Sequence, residues 1–403
     1  MLSGRLPRDR TPNVWARLLE ERRAAGASLV DLTEANPTRV GLGGVDREAL
    51  AALATAEATR YEPDARGEPR ARAAVAEYYA ARGAPIDPDQ VVLTTGTSES
   101  YGHLFRLLAD PGQSVLAPAP GYPLFEPLVR LEAVRLGSYR LAYDGAWHLD
   151  RASLEAAAGR GARAVIVVQP NHPTGSCLAP DEMAFVEALC ARRGMAIISD
   201  EVFGDFPWFA PRGTGCALPS FAGRERALTF VLSGLSKVCG MPQLKLGWIA
   251  VSGPERDRQA ALRGLEWIAD LFLSVATPVQ LALPRLLEGR HRFQAQVRER
   301  LAANRERLAR LPRRRPEVGV LAGEGGWVAV LQLPARRSGE AWALELLRRD
   351  VVVHPGHFYE IPGEAFLIVS LLVEPTALDR GIDRIAEVVA EDSPEEAREA
   401  RRP

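Results

Sequence analysis

Short apolar runs alternate with longer amphipathic stretches along much of the chain, and this alternation constrains the fold more than any other feature. The runs are VVLTTG (91–96), SVLAPAP (114–120), AVIVVQP (164–170), MAIISDE (195–201), ALTFVLSGLSK (227–237) and LGWIAV (246–251). Each is rich in β-branched residues and bounded by Gly or Pro, as expected of strands buried on both faces of a mostly parallel sheet. The stretches between them have apolar positions at helical spacing. The sequence therefore predicts an α/β fold.

A different pattern follows in the last third of the chain. From about 254 to 315 it is helical, with charge-rich faces typical of solvated helix surfaces. The runs GGWVAVLQLP, VVVHPG and FLIVSLL then predict three further strands with helices between them. These elements suffice for a second, smaller α+β unit.

Charge and cysteine content exclude several classes of function. With 50 basic and 51 acidic residues the net charge is -1, so nucleic acid and membrane surfaces are not expected partners. No run approaches the roughly 18 apolar residues that span a bilayer. The four cysteines lack a Cys-x-x-Cys pair, and His354 and His357 have no third ligand nearby, so we expect no metal site. A reducing, cytoplasmic location fits best.

Lysine is nearly absent from this chain. Of the 50 basic residues only two, Lys237 and Lys245, are lysine, and the rest are arginine. An amine that loses its proton can attack a carbonyl, whereas a guanidinium stays protonated and is a poor nucleophile. The two lysines therefore invite a chemical explanation, although a codon bias towards arginine could also leave two by chance.

The loop TTGTSES joins a predicted strand to a predicted helix. Gly96 permits close backbone approach, and the amides and hydroxyls of Thr97 and Ser98 at the start of a helix could hold a phosphate. Small-residue turns of this kind are common, so the loop alone is weak support. Further loops at predicted strand ends are PAPGYP, QPNHPTG, SDEVF and SGLSKVCGMPQLKLGW. Ligands of open α/β sheets bind at such strand ends.

In their order and spacing, these motifs resemble the class I/II aminotransferase family of fold-type I pyridoxal-phosphate enzymes. The match extends from LTEANPT near 32 to HPG and FLIVSLL near 367. The resemblance implies the PLP-dependent transferase fold, with a large cofactor-binding domain over 46–285 and a small domain built from 1–45 and 286–403. It also implies pyridoxal 5'-phosphate as the cofactor, and an amino acid or related amine and a keto acid as substrates.

The resemblance also implies roles for individual residues. Lys237, in the Ser236–Lys237 motif of the cofactor site, matches the Schiff-base lysine that later moves the substrate's proton. Asp200 matches the carboxylate that keeps the pyridine nitrogen protonated, although it could instead cap a helix. Tyr122 matches the aromatic that stacks on the cofactor, although it could be a core tyrosine. Tyr61 matches the tyrosine that reaches the phosphate of the other subunit, which implies a homodimer with shared active sites.

Three cofactor positions depart from the family pattern. Lys245 stands where the family has a phosphate-binding arginine, so the bidentate contact is lost and a point charge remains. His172 stands where the family has an asparagine that donates to the cofactor's ring oxygen, with Asn171 one place earlier. Phe203 replaces a tyrosine that shares this task. We therefore expect a raised pKa for the Schiff base, unless His172 compensates.

A fourth departure concerns the substrate. Ile368 stands where the family has the arginine that binds the substrate's α-carboxylate. Either another cation takes over, with Arg39 as the candidate, or the usual α-amino acid is not the substrate. Alternatively, the pocket could be apolar, although an aromatic cluster is more often part of a core. The candidate aromatic residues are Phe203, Phe206, Trp208, Phe209 and Trp248, of which we place Trp248 at the substrate.

The resemblance implies transamination as the first choice of reaction. A lyase, decarboxylase or oxidase on the same scaffold is the second hypothesis, prompted by Ile368 and Phe203. A ligand-binding homologue without catalysis is the third. Fold and cofactor alone do not determine which bond breaks.

Overall fold

The computed structural model describes residues 3–7, 9–43, 47–159, 161–209, 218–273, 275–361, 363 and 365–392. The strands in these ranges are β1 Val30–Asp31, β2 Val91–Thr94, β3 Ser114–Ala119, β4 Arg135–Tyr143, β5 Trp147–Leu149, β6 Ala164–Val168, β7 Ala196–Asp200, β8 Thr229–Gly234, β9 Gly247–Ser252, β10 Gly319–Val320, β11 Val328–Gln332, β12 Val351–Val352, β13 His354–Pro355 and β14 Phe366–Ser370. The helices are α1 Val14–Ala24, α2 Arg47–Ala51, α3 Pro69–Ala81, α4 Thr97–Leu108, α5 Phe125–Leu131, α6 Arg151–Ala158, α7 Pro180–Arg193, α8 Leu235–Val238, α9 Glu255–Asp270, α10 Thr277–Glu288, α11 Arg290–Leu308, α12 Leu311–Arg314, α13 Gly339–Arg348 and α14 Pro375–Glu391.

Eight strands form the larger sheet, in the order β2-β9-β8-β7-β6-β3-β4-β5. The neighbours from β8 to β4 pair in parallel, whereas β9 is antiparallel to β2 and β8, and β5 is antiparallel to β4. The mostly parallel α/β sheet is thus confirmed, and each of the six apolar runs contains one of its strands. Strands β4 and β5 were not predicted. Buried and exposed positions mix along β4, so it has no continuous apolar run.

Helices cover this sheet because each has one apolar face. In α4, Tyr101, Leu104 and Phe105 pack against one face of the sheet, and in α7, Met183 and Val186 pack against the other. Within the described ranges, no helix combines the length and the apolar character that a bilayer span requires.

A second, antiparallel sheet has the order β10-β11-β14-β13. The sequence predicts one strand for the run VVVHPG. In the structure this run instead divides into β12 and β13. Strand β12 pairs with β1, whereas β13 pairs with β14. The β1–β12 pair joins the amino-terminal residues to the carboxy-terminal part, and α1 packs against α13. The domain limits at 45/46 and 285/286 stay a prediction.

Candidate active site

The loops singled out in the sequence meet at one edge of the large sheet. Gly96 follows β2, His172 follows β6, Asp200 ends β7, and Lys237 follows β8. These four strands run in the same direction, so their carboxyl ends lie together. The Lys237 amine interacts electrostatically with both Asp200 and His172, which brings these side chains into one cluster.

Lys237 lies in the short helix α8, directly after β8. Gly234, the residue just before α8, is closely packed, because a Cβ at this position would lie 2.8 Å from the Cα of Gly247. The Nζ atom of Lys237 is 4.8 Å from the ring centre of Trp327 and 5.6 Å from that of Phe203. Burial lowers the pKa of Lys237 to about 8, although attraction to Asp200 acts in the opposite direction. Just above that pH most of the amine is unprotonated and nucleophilic.

Asp200 is buried at the end of β7 and accepts two hydrogen bonds. The Tyr101 hydroxyl donates to Oδ2 at 2.9 Å, and the Val202 N–H donates to Oδ1 at 3.2 Å. Burial raises the pKa of Asp200 to about 6, and both hydrogen bonds oppose this shift. The carboxylate is therefore ionised at neutral pH and can pair with a cation. Sequence reasoning missed Tyr101, although its position one helical turn after Thr97 on α4 was an available signal.

Aromatic rings surround the space beside Lys237. The His172 ring lies 6.0 Å from the rings of Tyr122 and Phe203 and 5.3 Å from the ring of Tyr359, measured between centres. Burial, together with nearby Lys237, lowers the pKa of His172 to about 3. The imidazole is neutral at ordinary pH and keeps one N–H that can donate a hydrogen bond.

The side chain of Asn171 is engaged in hydrogen bonds with neighbouring loop residues. Its side-chain amide donates to the Pro120 carbonyl at 3.1 Å and to Thr174 Oγ1 at 2.9 Å. Its carbonyl oxygen is buried and has no partner among the described residues. The amide protons are thus already engaged, which leaves His172 as the better candidate for the family's asparagine role.

The start of α4 and the nearby Lys245 form a corner that could hold a phosphate. Gly96 caps this helix with φ of 148°, a conformation that favours glycine, and the first helical residues are Thr97 and Ser98. A Cβ on Gly96 would lie 3.8 Å from Nζ of Lys245, so the missing side chain leaves room beside a cation. Backbone amides at a helix start, hydroxyls and an ammonium suit a phosphate. Together with the Lys237 amine and the Asp200 carboxylate, this donor set fits pyridoxal phosphate.

Three predicted residues lie apart from this cluster. Tyr61 is 73% exposed. The Arg39 side chain is 74% exposed and pairs with Glu34 at 3.4 Å. The assignment of Trp248 to the substrate pocket needs correction. Its ring is fully buried in the core under the sheet, and its indole N–H donates to the Tyr79 hydroxyl at 3.1 Å.

Ile368 lies in the smaller sheet, and Trp327 directly precedes one of its strands. Ile368, on β14, is buried and lies opposite Val330 and His354 in neighbouring strands. Trp327, just before β11, was not predicted as a site residue. The Gly-Gly-Trp turn before a strand is the one feature of the sequence that could have drawn attention to Trp327. Its contact with Lys237 joins distant parts of the chain, and no local pattern predicts it.

Introducing the family's phenol should change the titration of the Schiff base that we expect on Lys237. We expect Phe203→Tyr to lower its pKa by about one unit, because one neutral hydrogen bond to the cofactor's ring oxygen contributes about 1 kcal/mol and favours the deprotonated form. Visible absorbance against pH measures this value. In His172→Ala, the pKa of the Schiff base should stay raised or rise further. An ordinary value in His172→Ala would show that the missing phenol has no such effect.

Comparison with known proteins places this site in a family. Residues 30–385 match the family described as aminotransferase class I and II. Glutamate-pyruvate aminotransferase AlaA of Haemophilus influenzae is 24% identical over 356 residues, which cover 86% of this chain and 87% of that protein. S-alkyl-thiohydroximate lyase SUR1 of Arabidopsis thaliana is 31% identical over 245 residues, or 59% of this chain. The matched part spans only 51% of SUR1 and 48% of nicotianamine aminotransferase A of Hordeum vulgare, about half of their lengths.

Solved structures confirm the fold. The alanine aminotransferase of Pyrococcus furiosus superposes with a TM-score of 0.84 at 21% identity, covering 93% of this chain and 95% of that one. An aminotransferase of Escherichia coli gives a TM-score of 0.85 at 21% identity, covering 96% and 98%. The family match extends over most of the sequence and includes every strand of both main sheets. The chain belongs to the class I and II aminotransferase family.

Proposed function

We propose that this protein is a pyridoxal-phosphate-dependent aminotransferase that acts on an amino acid or related amine and a keto acid. The observation that carries the proposal is the partly buried Lys237 amine, whose pKa is lowered to about 8, beside the buried carboxylate of Asp200. Family membership over residues 30–385 supports it. The intact pair argues against a homologue that only binds a ligand.

Each part of the site has a task in such a reaction. Bound pyridoxal phosphate supplies an aldehyde that links to amines and a ring that withdraws electrons. Nζ of Lys237 would hold the cofactor and would carry the substrate's α-proton. The ionised Asp200 would keep the ring nitrogen protonated, and the Tyr101 hydroxyl, which donates to that carboxylate, orients it.

The remaining residues hold the cofactor in place. Tyr122 offers a flat face for stacking, and the neutral His172 offers an N–H to the ring oxygen. The start of α4, Ser236 and Lys245 would hold the phosphate. Lys245 is an exposed ammonium with no bidentate geometry, so we expect it to contribute charge more than orientation.

A spectral assay separates this function from its alternatives. The purified protein is mixed with candidate amines, with and without a keto acid, and the visible absorbance is followed. Formation of the amine form of the cofactor, reversed by the keto acid, indicates transamination. Elimination products or carbon dioxide would instead indicate a lyase or decarboxylase, and hydrogen peroxide an oxidase. No spectral change with any amine would indicate a ligand-binding protein.

We also propose a homodimer in which each subunit completes the site of the other. An exposed apolar patch at the end of α9 supports this, and it consists of Trp267, Leu271, Phe272 and Leu273. Tyr61 and Leu273 line one small cavity, so the patch adjoins the tyrosine that the family resemblance assigns to the partner's phosphate. A second copy is the occupant that would cover both.

The patch also rests on the phosphate-binding helix. The ring of Phe272 lies 5.5 Å from the His103 ring and 4.9 Å from the Arg106 guanidinium, both on α4. A subunit contact at the patch would therefore adjoin α4, the helix whose first turn forms the proposed phosphate corner.

Placing charge in the patch should separate the subunits. We expect Trp267→Arg with Leu271→Arg to shift the protein from dimer to monomer in sedimentation velocity, because Trp267 is 69% exposed and Leu271 is 65% exposed in the single chain. Cofactor retention should fall with dissociation. Leu131→Arg, at an exposed leucine outside the patch, serves as the control. A monomeric wild-type protein, or a double variant that stays dimeric, would refute the shared site.

We place the protein in the cytosol. Among the described residues, Cys177, Cys190 and Cys239 are free thiols, two of them buried. Free thiols are typical of reducing compartments, which supports this proposal.

A further inference from the structure

The position of the family's carboxylate-binding arginine is part of an apolar wall. Ile368 belongs to a buried cluster with Leu321, Val328, Val330, Tyr359 and Ile361. A substrate carboxylate placed against this wall would lose water without gaining a cation. Leaving a buried charge unpaired typically costs about 30-fold to several thousandfold in affinity. The wall therefore disfavours the group that the family's arginine binds.

One polar pair interrupts this wall. Nδ1 of His354 lies 2.8 Å from the Tyr359 hydroxyl, within hydrogen-bond distance. His354 is also the cross-strand partner of Ile368, so the pair lies directly beside the wall. The His172 ring also lies near Tyr359, 5.3 Å away between ring centres.

Tyr359 is tied to the proposed cofactor site through its backbone as well. Its carbonyl accepts a hydrogen bond from the Gly121 N–H at 3.0 Å, and Gly121 precedes Tyr122. Tyr359 thus belongs to the Ile368 cluster and also lies beside His172, which we assign to the cofactor. A substrate whose amine reaches Lys237 would meet this side chain.

The pair is uncharged at neutral pH. Burial raises the pKa of Tyr359 well above its usual value and lowers the pKa of His354. Trp15 and Phe358 pack on the His354 ring, and the attraction of Asp31, which favours the charged form, is weaker than the effect of burial. The pair can therefore offer hydrogen bonds to a ligand, and it offers no charge.

We propose that Tyr359 is a specificity-determining residue whose hydroxyl, positioned by His354, binds an uncharged oxygen on the carbon next to the amine-bearing carbon. The preferred amine donor is then an amino alcohol, and an α-amino acid is a poorer donor. This inference rests on the proposed transamination and names the substrate class of that same site.

Three donors of one carbon skeleton test it. In 2-aminopropan-1-ol, alanine and isopropylamine the amine-bearing carbon carries CH₂OH, carboxylate and methyl respectively. Stopped-flow absorbance of the holoenzyme, at several donor concentrations, gives the dissociation constant separately from the limiting rate of conversion to the amine form. We expect 2-aminopropan-1-ol to bind most tightly. Tyr359→Phe should weaken its binding about 3- to 10-fold, as expected for one neutral hydrogen bond, and change isopropylamine less than twofold.

Other variants separate recognition from structural damage. His354→Leu should weaken binding of 2-aminopropan-1-ol selectively and by less than Tyr359→Phe does. Tyr143→Phe removes a tyrosine hydroxyl that accepts from the Ala322 N–H at 3.1 Å, and it should change no donor's constants. Ile368→Arg should improve alanine relative to isopropylamine.

The outcomes distinguish failure of this inference from failure of the proposed function. Tightest binding of alanine in the wild type, or an equal loss for all three donors in Tyr359→Phe, would overturn the inference and leave transamination standing. Absence of the amine form with all three donors and with other amino acids would reject the proposed function, and the inference with it.

Discussion

Replacing Lys237 with alanine should lower the rate of amine transfer by about 10³-fold or more. General acid–base catalysis by a positioned side chain contributes about 10²- to 10⁴-fold, and loss of the covalent link adds to this. The only other lysine in the chain, Lys245, is exposed and lies at the start of α4. Single-turnover absorbance with saturating cofactor and amine measures the rate.

The second lysine supplies a matched comparison for this prediction. Lys245→Ala should weaken the hold on the cofactor, because it removes a charge beside the proposed phosphate corner. At saturating cofactor its transfer rate should exceed that of Lys237→Ala by orders of magnitude. Similar rates in the two variants would mean that Lys237 has no special role.

Replacing Asp200 with asparagine should lower the transfer rate by about 30-fold to several thousandfold, the range for removing one member of a buried charge pair. The amide preserves the shape and the bond from Tyr101 but cannot keep the ring nitrogen protonated. Glu201→Gln is the control. That neighbouring carboxylate accepts bonds from Ser199 and Ser220. Its effect on transfer should stay within a few-fold.

The pH dependence of cofactor binding gives an independent measure of Asp200. Its pKa is raised to about 6 by burial, and a cationic ring favours the ionised carboxylate. As pH falls through about 6, the carboxylate takes up a proton and cofactor affinity should decrease. Above pH 7 the wild-type affinity should level off. The Asp200→Asn variant should lack this step, and a step of equal size in the variant would assign it to another group.

The strands that were predicted correctly are those whose local sequence reports burial on both faces. All five residues of β6, AVIVV, are buried, so a continuous apolar run identifies it. Strand β4 mixes exposed and buried positions, and its place in the sheet depends on pairing with β3 and β5. The division between β12 and β13 depends on two different partner strands, β1 and β14. No local pattern encodes such pairings.

The same distinction applies to the site. Lys237 and Asp200 lie in short motifs at the ends of neighbouring strands, so sequence order predicts that they meet. Trp327 and Tyr359 lie beside strands of the smaller sheet. Their contacts with Lys237 and His172 form only when the two sheets pack together. Trp248 was misplaced because an aromatic residue near a motif is compatible with both core and pocket. Its hydrogen bond to Tyr79 decides for the core.

The central claim is that Lys237 carries the cofactor, and reduction followed by peptide mapping tests it most directly. Borohydride makes a lysine–cofactor link permanent, and mass spectrometry then locates the added mass. We expect the mass on the peptide that contains Lys237 and none on the peptide that contains Lys245. A freshly purified protein that is colourless and takes up no pyridoxal phosphate from an excess, or a label on any residue other than Lys237, would contradict the account.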